Sequence, residues 1–113
     1  MSDPVRTFEH VDFADAEVIR LSTDSDTLQV HGKDWQERPF RLIFTDVVGY
    51  EVFSIVGEDL SHGSVSYDDP FIARACRIAA ETPQGFCCFA LWSAWADDAV
   101  LRVVARHCRV EME

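Results

Sequence analysis

The stretch Asp69-Pro70-Phe71-Ile72-Ala73-Arg74-Ala75-Cys76-Arg77-Ile78-Ala79-Ala80-Glu81-Thr82-Pro83 decides the fold, because its apolar residues recur at helical spacing. Phe71, Ala75, Ile78 and Thr82 fall on one stripe, widened by Ile72, Cys76 and Ala79, while Arg74, Arg77 and Glu81 fall outside it. Asp69 suits the N-cap, where a carboxylate accepts from the free N–H groups of the first turn. Pro70 suits the first helical position, whose N–H has no partner in any case. Pro83 stops the pattern and Gly85 begins a turn. The spacing therefore predicts a helix over 69–82.

Outward from this helix the periodicity changes from helical to alternating. Upstream, Thr27 to Lys33 alternates with Leu28 and Val30 on one side and Gln29, His31 and Lys33 on the other. Phe40, Leu42 and Phe44 share a face of the next strand, which Pro39 opens. The second half of 13–22 and the stretch 50–56 read as two further strands. Residues 57–66 are polar and contain glycine, so they read as a loop. Downstream, Phe86 to Trp95 is nearly all apolar and reads as a strand covered on both faces. Val100 to Met112 reads as a long final strand, bent or bulged. The expected architecture is α+β: a largely antiparallel meander of about six strands with the helix packed on the sheet. The opening Ser2-Asp3-Pro4 reads as the cap of a short helical turn.

At 113 residues the chain is sized for a single domain spanning 1–113. A hydrophobic content of 48% excludes global disorder. No apolar run reaches the ~18 residues of a membrane helix. The start Met-Ser-Asp-Pro-Val-Arg lacks a basic region followed by an apolar stretch, so a cytoplasmic location is expected. The net charge is −10, which opposes binding to nucleic-acid phosphates. That charge is uneven. Residues 1–69 hold 15 acids and five bases, whereas residues 70–113 hold five of each. An acidic half of this kind fits a basic protein partner, whose approach it would accelerate.

Candidate chemistry is sparse. Cys76, Cys87, Cys88 and Cys108 are expected to be free thiols, since adjacent strand residues such as Cys87 and Cys88 point to opposite faces. Cys87 or Cys88 meeting His107 across paired strands would make a thiol-dependent enzyme, or carboxylates would make a hydrolase. His10, Asp12 and Asp15 lie close in sequence but match no metal-binding motif, so neither metal nor cofactor is expected. The glycine-rich nucleotide loops and the nucleophile elbow are absent. Trp92 and Trp95 sit in the apolar run on opposite faces of a regular strand, so at least one of them suits the core. Trp35 stands among charges, between Asp34 and Glu37, and suits a partner interface. Asp34, Trp35 and Glu37 are the expected partner-binding residues. Eight Phe and three Trp leave apolar surface to spare for a symmetric homodimer.

The segments Phe13-Ala14-Asp15-Ala16-Glu17-Val18, Leu28-Gln29-Val30 and Phe40-Arg41-Leu42-Ile43-Phe44-Thr45-Asp46-Val47 resemble the opening of small bacterial β-rich proteins. Some of those are immunity proteins of polymorphic toxin systems, and many have no known function. The likeness covers about residues 8–55 and implies no catalytic residue. It implies a binding function, with toxin neutralisation as its specific form. The alternatives are a small enzyme and a sheet domain that binds a small ligand.

Overall fold

In the computed structural model, which describes residues 8–112, the strands divide between two antiparallel sheets of four. In the first sheet, β1 (Glu17–Asp24), β2 (Thr27–Lys33) and β3 (Pro39–Thr45) follow one another as hairpins. The last strand, β8 (His107–Met112), pairs with the free side of β3. The second sheet has the order β4 (Gly49–Val52), β7 (Ala99–Ala105), β6 (Cys87–Ser93), β5 (Leu60–Ser66). The helix α1 (Pro70–Ile78) connects β5 to β6. The expected Ser2-Asp3-Pro4 cap lies outside the described residues. Among the described residues no helix is long and apolar enough to cross a membrane.

The alternation seen in the sequence explains why the two sheets face each other. Leu28, Val30, Leu42 and Phe44 from the first sheet bury against Cys87, Phe89, Leu91, Leu101 and Val103 from the second. Phe44 and Phe89 meet edge-on across the gap at 5.3 Å, and Phe8 joins both at 6.1 and 5.2 Å. Tilted and edge-to-face rings add attraction beyond their burial. Truncating one of them, Phe89→Ala, would cost about 4 kcal/mol.

The strand β6 has a second covered face, which is why its sequence is apolar throughout. Ile72, Ala75 and Cys76 of α1 bury against Phe86, Cys88 and Val104. The helix lies close because Gly49 of β4 has no side chain. A Cβ there would come within 2.9 Å of the Ala75 Cβ.

Five expectations need correction. There are eight strands, not about six. Strands in chain order pair within each sheet, β1–β2–β3 in the first and β5–β6–β7 in the second, so there is no single continuous meander. The expected final strand is two strands in different sheets, with the chain crossing between them at Arg106, whose guanidinium lies 4.3 Å above the Phe86 ring. Residues 60–66, expected as a loop, form β5 at the edge of the second sheet. Their alternation is hidden because Gly63 takes an inward position beside the rings of Phe8 and Phe13, where a Cβ would sit within 3.0 Å of both. The helix is also shorter than expected. It ends at Ile78, because Ala80 adopts a left-handed φ of 58°. The N–H of Ala80 then donates to the Arg77 carbonyl, and that of Glu81 to the Cys76 carbonyl, which closes a Schellman cap.

Candidate functional site

The β2–β3 connection, residues 34–38, presents an exposed aromatic, Trp35, flanked by a groove. Asp34 shapes it. Its Oδ1 accepts from the backbone N–H groups of Gln36 and Arg38, each at 2.9 Å, and its Oδ2 accepts from Arg38 Nε at 2.9 Å. Two main-chain bonds close the loop: the Asp34 N–H donates to the Arg38 carbonyl, and the Glu37 N–H to the Asp34 carbonyl. Glu37 sits at a left-handed φ of 62°. Desolvation works to raise the Asp34 pKa, but the hydrogen bonds and charge of Arg38 and the N–H of Gln36 outweigh it together. They hold the carboxyl below its ordinary value.

Asp34 is only 8% exposed, so it spends its charge inside the turn and does not offer it to a partner. Trp35 is 60% exposed at the tip, and Glu37 is exposed beside it. Trp35 also lines a groove of about 490 Å3 with Val11, Val110 and Met112, rimmed by His10, Asp12 and Arg38. The groove exists because β8 is an edge strand. Val110 and Met112 point toward the inner side, with no further strand beside them to complete the cover. Thus the structure places the three expected residues in one turn and divides their roles. Asp34 holds the loop, while Trp35 and Glu37 face outward. The contribution of Val11, Val110 and Met112 escaped the sequence reading, because their proximity depends on β8 crossing to the first sheet.

The thiol constellation is not assembled. Cys87 faces the core, with its Sγ donating to the Ala105 carbonyl at 3.6 Å, and Cys88 faces α1. His107 opens β8 in the other sheet, paired with Thr45 and 3.9 Å from Asp46. All four cysteines are free and buried. Burial, with a smaller contribution from the Asp69 charge, pushes the Cys88 thiol up to about 12. Burial raises Cys76 and Cys108 as well. A thiolate nucleophile needs the opposite environment. Asp12 accepts from the Ala14 N–H, and among the described residues no three His, Cys, Asp or Glu side chains converge to hold a metal. Trp95 lies beyond β6 in the next turn, 81% exposed, and donates to Asp59 at 3.3 Å.

A second polar cluster, on the outer face of the second sheet, was not visible in the sequence. Arg102 of β7 lies 3.3 Å from Glu51, 3.8 Å from the cap residue Asp69 and 3.9 Å from Asp98. Its guanidinium is 6.0 Å from the Trp92 ring, which stacks on His62 and donates to Ser64 Oγ at 2.8 Å. Arg74 completes the set, 3.4 Å from Glu51. Both arginines find carboxylates within this cluster, three against two, so it ties α1 to the sheet. No family model, curated protein or solved structure matches the chain.

Proposed function

We propose that this protein is a protein-binding module that grips a basic partner through the Trp35 corner, with neutralisation of a toxin as its specific form. The observation that carries the reading is the exposed indole on a turn braced from within by Asp34. Exposed tryptophans anchor interfaces when they enter a partner's pocket. A turn already fixed by its own hydrogen bonds loses little freedom on binding, which leaves more of the contact energy for affinity. The apolar groove beside Trp35 offers room for a partner side chain, Asp12 supplies negative charge at its rim, and Glu37 is exposed on the same turn as Trp35.

The test begins with cross-linking and affinity capture from the native host at low and high salt. Stopped-flow kinetics on the purified pair then follow. Trp35→Ala is expected to raise the dissociation rate at least about tenfold while leaving the fold intact. Glu37→Gln should instead lower the association rate and its salt dependence. Unchanged rates in both variants would show that the partner docks elsewhere.

A further inference from the structure

The outer face of the first sheet poses a different problem. Arg20 of β1 stands opposite His31 of β2, His31 opposite Arg41 of β3, and Arg41 opposite Glu111 of β8. A protonated His31 would set like charges opposite one another, which destabilises a sheet, yet this chain holds twice as many acids as bases. Arg41 and Arg109 share Glu111. Arg20 and Lys33 have no acidic partner within 4 Å among the described residues, although Glu17 is the cross-strand neighbour of Lys33. Arg20 makes its contact with His31 instead, at 3.4 Å to Nε2.

Arg20, His31, Lys33, Arg41 and Glu111 line a cleft of about 390 Å3. Three cations against the carboxylate of Glu111 leave it with a charge of +2, in a chain of net −10. Its apolar wall comes from Ile19 and Pro39. Ile19 occupies the point where β1 shifts register, between Val18 and Arg20. Such a bulge re-aims side chains and recurs next to binding sites. Packing explains the length of the neighbouring side chains but not their sign. Ile43 on this face is 7% exposed although α1 packs on the other sheet, so long side chains must lie across it. Neutral or acidic stems would cover it as well.

We infer that this cleft binds a small organic anion, a carboxylate or phosphate head carried on an apolar body. The head would take the forked donors of Arg20, a geometry suited to both oxyanions, while Arg41, whose Nε and Nη2 already donate to Glu111, adds its remaining donors. The body would lie against Ile19 and Pro39. A volume of this size is ordinary for small-ligand clefts. The cleft and the Trp35 groove have no lining residue in common, so the two proposals stand or fall separately.

The test is an NMR titration of the full chain with octanoate, phenyl phosphate and neutral octanamide. Either anion should saturate within about 10 mM, a weak but specific range, and move the signals of Arg20, His31 and Arg41. The tighter of the two identifies the head group. Bound anion should also raise the His31 pKa, because it favours the imidazolium flanked by Arg20, Arg41 and Lys33. Arg20→Gln, at an exposed position, should weaken binding about tenfold, and Trp35→Ala should leave it unchanged. The inference is overturned if neither anion saturates or if octanamide binds as well.

Discussion

The two sheets share one core but have unlike outer faces. On the second sheet, α1 covers Cys88 and Val104, and Arg102 and Arg74 each have carboxylate partners among Glu51, Asp69 and Asp98. On the first sheet α1 is absent, and Arg20 and Arg41 flank His31 in a row that works against protonation of the imidazole. Covered surface is paired and closed, whereas bare surface carries charge that the molecule itself does not neutralise. This difference is where stability and recognition part company. Changes to the covered face should be felt in folding, and changes to the bare face in binding.

The largest effect should follow from prising the cover off. Gly49→Val would force side-chain atoms into Ala75, destabilising the protein by about 3 kcal/mol. Gln29→Val on the bare face should stay within about 0.5 kcal/mol. Urea denaturation of both variants compares the faces directly, and equal losses would erase the distinction.

The ends of the covering helix should show smaller effects of opposite sign. Ala80→Gly is expected to stabilise by about 1 kcal/mol, because glycine adopts the left-handed φ of the Schellman cap without its steric cost. Asp69→Ala should destabilise by about 1 kcal/mol, since its Oδ1 accepts from the Phe71 N–H at 2.9 Å. Asp69→Asn keeps the cap and loses only the charge facing Arg102, so it should cost a few tenths of a kcal/mol. A thermal melt in which Asn is as damaging as Ala would assign the helix start to the ion pair instead.

A still smaller effect belongs to the Trp35 turn. The Asp34 carboxyl is held below its ordinary value in the folded state, so its contribution is fully present above the unfolded pKa. It fades as pH falls through the lower folded one. Stability measured between pH 5 and about 2 should therefore decline less steeply in Asp34→Asn than in the parent. An identical acid limb would mean that the carboxylate does not brace the turn.

Much of this arrangement was legible in the residues, for identifiable reasons. Alternation in 27–33 and 39–45 gave β2 and β3 because each has one buried and one bare face. The continuous apolar run gave β6 because α1 covers its outside. Asp69-Pro70 gave the helix start because capping is local. The helix end was hidden because alanine, not glycine, takes the left-handed position. The strand β5 was hidden because aromatic rings from residues 8 and 13 fill the space beside Gly63. The division of 99–112 between two sheets is a long-range choice that nothing local announces. At the site, Trp35 was legible from its charged surroundings. The inward turn of Asp34 was not, since an aspartate in a turn serves solvent and backbone equally well. The row of Arg20, His31 and Arg41 could be read only once the strand register was known.

The claim that the bare face carries an unneutralised positive field is tested most directly by titrating His31. Burial, Arg20 and Arg41 each work to hold its pKa below the ordinary 6.5. NMR of the ring protons against pH should place the midpoint below 6.5 and move it upward in Arg20→Gln. A midpoint at or above 6.5, or one that Arg20→Gln leaves unmoved, would contradict the account.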